Sequence, residues 1–181
     1  MALTRADIVS AALALLDEVG LDGLSTRRLA ERLGVRGPSL YWHVKTMAEL
    51  RDHMAEAMLA QTMGGAGAAA AEGDWREWLA AGARAYRRAA LSRRDGARLL
   101  SMARPTGTRP DLSYPAMVQR LRAAGFSAAD AHDSMMAIGR YVLGWVLFEQ
   151  ASDDLDREHG FEFGLRAMLD GLGQRVGASA A

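Results

Sequence analysis

Basic side chains are concentrated near the start of this 181-residue chain, where their chemistry suits contact with phosphate. Between positions 27 and 45 the only acid is Glu31, whereas the basic residues are Arg27, Arg28, Arg32, Arg36 and Lys45. A basic surface of this kind attracts the backbone of a nucleic acid. The alternative is a solvated helix face, and charge alone does not separate the two, because the whole chain has 22 basic and 22 acidic residues.

Two short helices are predicted to hold this basic segment. Ser25 is a favourable N-cap for the first helix, and Gly34 is placed to end it. Gly37 and Pro38 precede a second helix, which we predict over 39–43. Two short helices joined by a tight turn are typical of the helix-turn-helix, whose second helix enters the major groove of DNA.

The rest of the chain predicts an all-α protein, because apolar residues recur at helical spacing and alternating β-branched runs are rare. The first helix has a capping pair in Thr4 and Asp7 and is expected to end at Gly20. The segment 128–151 contains no proline and has apolar residues all around the helix. Such a helix requires burial on both sides, either at the centre of a monomeric bundle or against a second copy of the chain.

Several classes of protein are excluded by composition. With no cysteine, the chain has no disulfide, thiolate metal site or cysteine nucleophile. It has no run of about 18 apolar residues, and an acid occupies the region where a signal peptide would be apolar. We therefore expect a cytoplasmic protein that does not associate with membranes.

An enzyme is the competing class, and its best constellation is a possible metal set at i, i+3 and i+6, formed by Asp156, His159 and Glu162. A di-iron helical bundle needs repeated Glu-x-x-His motifs, and the sequence contains none. It also lacks a Gly-x-Ser-x-Gly elbow, a phosphate-binding glycine loop and a His-Glu-x-x-His motif. The expectation is a protein that is not an enzyme and that has no cofactor or metal site; a solvated, charged helix start accounts for the three residues.

At 24–50 the sequence LSTRRLAERLGVRGPSLYWHVKTMAEL resembles the DNA-binding segment of the TetR family, with LYWHVK as its most specific part. The segment 75–105 and the later LRAAGFS resemble the ligand-binding domain of the tetracycline repressor subfamily, so the likeness covers about 3–176, patchily after 105. It implies a helix-turn-helix domain at 1–46, a connecting helix at 47–63, a flexible connector at 64–73 and a ligand-binding and dimerisation domain at 74–181.

The function implied is a transcriptional repressor that binds a palindromic operator on double-stranded DNA as a homodimer and is released by a small molecule. A transcriptional activator or a ligand-independent DNA-binding protein is the alternative, since either would share the same helix-turn-helix domain, which we call the head. The residues expected to contact DNA are Thr26, Arg27, Arg36, Gly37, Pro38, Ser39, Tyr41, Trp42, His43 and Lys45. For Tyr41 and Trp42 a packing role is the alternative.

The resemblance also shows departures from the subfamily. Gly37 stands where the tetracycline repressors have glutamine, which predicts a different operator. Met47 replaces a lysine that contacts phosphate there, and Arg36 is placed to compensate. Leu100 occupies the position of the histidine that ligates magnesium, and Met63 and Gly82 occupy those of a histidine and an asparagine that contact the drug. Because an aliphatic side chain cannot ligate a hard cation, we predict that magnesium-tetracycline is not the inducer.

What remains of the family's ligand pocket is apolar and deformable, with one cation and one phenol to orient a ligand. Such a pocket suits a flat, hydrophobic molecule, whether neutral or anionic. The residues expected to line it are Met58, Met63, Trp78, Gly82, Tyr86, Leu100, Arg104, Pro105, Met117 and Met135. The alternative for each methionine is simple core packing, since the chain has 10 of them.

Overall fold

The computed structural model describes residues 3–63, 74–104, 114–151 and 157–179, and in these ranges the chain forms helices and no strands. The helices are α1 Arg5–Gly23, α2 Thr26–Leu33, α3 Gly37–Tyr41, α4 Met47–Met63, α5 Trp75–Leu91, α6 Gly96–Met102, α7 Tyr114–Ala123, α8 Ala128–Ala151 and α9 Arg157–Ser179. The prediction of an all-α protein is confirmed. None of these helices is long and apolar enough to span a membrane. The predicted connector at 64–73 lies outside the described residues.

The chain divides into two compact units. The first comprises Met1–Gln61 and Ala89–Thr106, and the second comprises Thr62–Arg88 and Gly107–Ala181. The first unit therefore contains the head, most of α4 and the short helix α6, whereas the second holds most of α5 with α7, α8 and α9. The domain boundaries implied by the family resemblance stay predictions.

The first unit begins with α1, whose start is fixed by the expected capping box. The Thr4 hydroxyl accepts the Asp7 N–H, and the Asp7 carboxylate accepts the Thr4 N–H. Gly20 interrupts the helix with φ +73° and ψ 176°, a conformation that favours glycine, but α1 continues to Gly23, three residues beyond the expected end. Ile8 and Leu16 of this helix are fully buried.

The bounds predicted for the second helix of the helix-turn-helix, called the recognition helix, were wrong by two residues. This helix is α3, Gly37–Tyr41, rather than 39–43. Proline fits the first turn of a helix, so Pro38 lies inside α3, and the Ser39 N–H bonds to the Arg36 carbonyl. The helix ends early because the N–H groups of His43 and Val44 both bond to the Leu40 carbonyl. Trp42 and His43 therefore lie in the turn after the helix.

The second unit is built around a continuous apolar core formed by α5, α7, α8 and α9. Phe161 and Leu165 of α9 are buried against Val142 and Ile138 of α8, with aromatic rings of Trp75, Tyr141 and Trp145 packed around them. The predicted long helix at 128–151 is confirmed as α8. The Ser127 hydroxyl accepts the Asp130 N–H at 3.0 Å and so caps its start.

Candidate DNA-binding surface and ligand-binding residues

The helix-turn-helix is fixed by local interactions at both ends of α2. The Ser25 hydroxyl accepts the Arg28 N–H at 3.3 Å, which caps the start of the helix. Gly34 takes the left-handed conformation, φ 65° and ψ 28°, and the Val35 N–H bonds to the Ala30 carbonyl at 3.1 Å. This turn ends α2, and α3 begins three residues after Gly34.

The side chains expected to contact DNA are mostly exposed. Leu40 and Val44 are the buried residues that attach this segment to the head, so the residues between them face outward. Trp42 is 89 % exposed and Tyr41 is 52 % exposed. A packing role for the Trp42 ring therefore has no support among the described residues. Arg27, Arg36, Pro38, Ser39 and Lys45 are also exposed, whereas Thr26, Gly37 and His43 are half-buried.

Gly37 opens α3 without being required by packing. No atom of the described residues lies within 4 Å of the place where a Cβ would stand, and the φ of Gly37 is not in the left-handed region. A side chain at this position would extend into open space beside Pro38 and Ser39. The absence of a side chain leaves room for the helix backbone to approach a base edge closely.

The arginines of α2 are engaged in different ways. Arg28 Nη1 donates to the Gly23 carbonyl at 2.9 Å, and Arg32 Nη1 donates to Glu18 Oε2 at 2.7 Å. The hydrogen bond from Arg32 lowers the pKa of the Glu18 carboxyl. Arg27 pairs instead through Nε with Glu31 Oε1 at 2.9 Å. This last pair was not among the predicted site interactions, although its i, i+4 spacing is a signal that the sequence carries.

The start of α4 lies just beyond α3 and is capped by Thr46 and Glu49, with one difference from a capping box. The Thr46 hydroxyl accepts the Glu49 N–H at 3.0 Å, but the Glu49 carboxylate reaches the N–H of Lys45 at 2.6 Å rather than that of Thr46. This backbone hydrogen bond lowers the pKa of Glu49. The Lys45 amide is therefore occupied, which leaves the ammonium group as the part of Lys45 that can contact phosphate.

Three of the predicted ligand-binding residues that the structure describes lie in the first unit. Met58 is fully buried and Leu100 is 6 % exposed. Arg104 is exposed, and its backbone N–H donates to Asp52 Oδ1 of α4 at 2.7 Å. Pro105 lies outside the described residues, and the placement of the Met63 side chain is not described.

In the second unit, α5 presents Trp78, Gly82 and Tyr86 at four-residue spacing, which places them on one face of the helix. Among the described residues, no atom lies within 4 Å of the place where a Cβ would stand at Gly82. Burial raises the pKa of Tyr86 to about 12, and the protonated phenol can donate a hydrogen bond. Met117 of α7 and Met135 of α8 are half-buried.

The alternative metal set is not assembled in the described part of the chain, where no group of three His, Asp or Glu side chains could hold an ion. Asp156 lies outside the described residues. Glu162 is bound by Arg84 through two hydrogen bonds of 2.7 Å, which lower the pKa of its carboxyl. Glu162 is thus accounted for as the partner of an arginine.

An exposed, basic helix-turn-helix joined to a helical core defines the class of this protein, a DNA-binding transcriptional regulator. Comparison with protein families agrees. Residues 8–54 match the family described as bacterial regulatory proteins, tetR family, and residues 68–160 match the tetracyclin repressor-like C-terminal domain. The chain belongs to the TetR family of ligand-responsive transcriptional repressors.

Individual relatives support the same assignment. The chain is 40 % identical to the tetracycline repressor protein class A from transposon 1721 of Escherichia coli, over 93 % of this chain and 89 % of that protein. It is 44 % identical to the class C repressor of Escherichia coli, over 87 % of this chain and 71 % of that protein.

Solved structures with the same fold include the class A repressor in complex with 5a,6-anhydrotetracycline and magnesium. That structure has a TM-score of 0.80 to this chain, at 42 % identity over 95 % of this chain and 99 % of its own. Apo ActR from Streptomyces coelicolor gives a TM-score of 0.86 at 27 % identity, covering 100 % of this chain and 99 % of its own.

Proposed function

We propose that this chain represses transcription by binding a palindromic operator as a homodimer and that it releases the operator when a small hydrophobic molecule other than magnesium-tetracycline binds. The observation that carries the DNA-binding part is the uncovered α3 segment, with the Trp42 ring 89 % exposed beside a basic α2. A protein of this kind acts in the cytoplasm, where the DNA is, and needs no catalytic group.

A homodimer is supported by the outer surface of α8 and α9. Leu147 and Phe148 of α8 are 41 % and 60 % exposed, and Phe163 of α9 is 69 % exposed. No described residue lies within 4 Å of a Cβ built at Gly139 or Gly144, which would let another helix approach α8 closely. Exposed large apolar side chains on neighbouring elements are typical of protein interfaces. A twofold dimer would present two heads and so require a palindromic site.

Selection of bound sequences from a random DNA pool tests the proposal. We expect a palindrome whose half-sites are separated by about 34–36 Å or a slightly larger related spacing, with affinity that falls steeply as salt rises. Sedimentation of the operator complex should give two chains per site. Failure of the folded apo protein to enrich any sequence would contradict the proposal.

Ligand release requires coupling between the ligand and the head. A 100-fold loss of DNA affinity needs about 2.7 kcal/mol of coupling free energy, which a modest pocket can supply. Within the first unit, the hydrogen bond from the Arg104 N–H to Asp52 links the end of α6 to α4. We propose that a shift of α6 on ligand binding is passed to α4 through this contact and then to the head.

The nature of the inducer gives a second prediction. Leu100 is buried and has no metal-ligating atom, and Gly82 has no side chain with which to hold a drug. We therefore expect that adding Mg²⁺ will not change the fluorescence of tetracycline mixed with this protein and that the mixture will not dissociate the operator complex.

The class A tetracycline repressor is the matched control for this titration, since its structure contains anhydrotetracycline and magnesium. Mg²⁺-dependent binding of tetracycline by this chain, with an affinity comparable to that of the control, would show that the proposed ligand class is wrong. The DNA-binding proposal would be unaffected by that result.

A further inference from the structure

We propose that Glu31 is a positioning residue that holds Arg27 in the orientation needed to read a base of the operator. The inference rests on the proposed function, since it assigns a task within the DNA-binding surface. Both residues belong to α2, and their side chains are 60 % (Glu31) and 86 % (Arg27) exposed. Arg27 Nε donates to Glu31 Oε1 at 2.9 Å.

The atoms used in this pair determine which N–H donors of Arg27 remain available to DNA. A guanidinium carries five N–H donors, and here the one on Nε is directed at Glu31. Nη1 and Nη2 of Arg27 make no bond within the described ranges, so the outer fork of the guanidinium is free. Two N–H donors in this fork match the O6 and N7 acceptors that guanine presents in the major groove. The pair with Glu31 therefore fixes the side chain while leaving its base-reading edge open.

Arg27 is the arginine of α2 that is placed for this task. Arg28 and Arg32 each donate an outer Nη group, to the Gly23 carbonyl and to Glu18 respectively, and both acceptors lie in α1. Residues four apart share a helix face, so these two arginines form a stripe turned towards α1. Within the described ranges, no hydrogen bond joins the side chains of Arg27 and Glu31 to α1. The first helix of a helix-turn-helix, here α2, crosses the DNA backbone. The stripe of Arg27 and Glu31 is the side of α2 that can then face the DNA.

Stability does not account for a carboxylate at this place. An exposed i, i+4 ion pair contributes little to folding, because solvent screens it. An acid within a surface that approaches phosphates also weakens binding to every DNA sequence, since it opposes their negative charge. The gain that offsets this loss is base discrimination, because a fixed fork loses less freedom when it binds than a free arginine does.

The test uses the selected operator and a panel of operators in which each base pair of the half-site is changed symmetrically. Competition binding then gives the discrimination at each position for wild type, Glu31→Ala and Glu31→Gln. We expect Glu31→Ala to bind non-specific DNA more tightly and to lose about fivefold or more of its discrimination at one base pair. Glu31→Gln should also bind non-specific DNA more tightly yet keep that discrimination, because its amide oxygen still accepts from Nε.

Arg27→Ala provides the background that links the two residues. In that background, adding Glu31→Ala should not change discrimination at the same base pair. If wild type selects a palindrome but Glu31→Ala discriminates equally well at every position, the positioning role is wrong and the proposed function stands. If wild type selects no sequence, the proposed function fails and this inference fails with it. Thermal melting by circular dichroism confirms that each variant is folded.

Discussion

Replacing Trp42 by alanine is expected to lower operator affinity by more than about 100-fold while leaving the stability of the fold nearly unchanged. The ring is 89 % exposed, so its removal creates no cavity, and surface substitutions of this kind change the free energy of unfolding by about 0.5 kcal/mol or less. No described residue accepts a hydrogen bond from its indole N–H, which can therefore donate to a phosphate. Such a charge-assisted hydrogen bond contributes about 1.5 kcal/mol or more.

A homodimer loses this contact twice, which makes the expected loss about 3 kcal/mol, or more than 100-fold in operator affinity. Fluorescence anisotropy of labelled operator at fixed salt measures the affinity, and thermal melting measures the stability. Trp42→Phe separates the hydrogen bond from ring contact, and we expect it to lose nearly as much affinity as Trp42→Ala. Operator binding by Trp42→Ala within about threefold of wild type would contradict the assignment.

Leu40→Ala is the contrasting variant, because it weakens binding by a different route. Leu40 is 3 % exposed and lies one residue from Tyr41 in α3. Its truncation leaves a cavity and is expected to destabilise the head by about 2–5 kcal/mol. Melting therefore distinguishes the two variants, since Leu40→Ala lowers the melting temperature and Trp42→Ala does not.

Local signals account for most of the fold that was predicted. The caps at Ser25 and Thr4 and the stop at Gly34 depend on residues a few positions apart, so the sequence contains both partners of each interaction. The start of α3 was placed two residues late. Proline is compatible with the first turn of a helix, and the sequence does not show how early that turn begins.

Interactions between distant helices were not predictable in the same way. Arg87 and Glu149 are 62 positions apart, and in the sequence Glu149 is simply one acid in an acidic stretch. Their pairing depends on how α5 and α8 pack, which no local pattern specifies. The ligand-binding residues illustrate the same difficulty, because the family resemblance names them but their burial depends on tertiary packing.

The Arg87 pair also gives the largest expected effect on stability. Glu149 is 3 % exposed, and Arg87 holds it with two hydrogen bonds, Nε to Oε2 at 3.0 Å and Nη2 to Oε1 at 2.6 Å. A third bond joins Arg87 Nη1 to Glu158 of α9 at 2.9 Å, and the guanidinium lies 4.7 Å from the Phe161 ring. The hydrogen bonds to Glu149 and Glu158 raise the pKa of Arg87. One cation thus connects α5, α8 and α9.

Replacing Arg87 by methionine is expected to destabilise the protein by about 3–5 kcal/mol, because it leaves the Glu149 carboxylate buried without its cation. For a chain of this length the melting temperature should fall by roughly 6–20 °C, measured by calorimetry at one fixed protein concentration. Arg87→Met combined with Glu149→Met should recover most of this loss, because two apolar side chains of similar length carry no desolvation cost.

Arg84→Met is the matched control: its partner Glu162 is more exposed, so water can replace the lost bonds and the expected cost is about 1 kcal/mol or less. Equal destabilisation by Arg87→Met and Arg84→Met would show that burial of Glu149 does not set the strength of this contact.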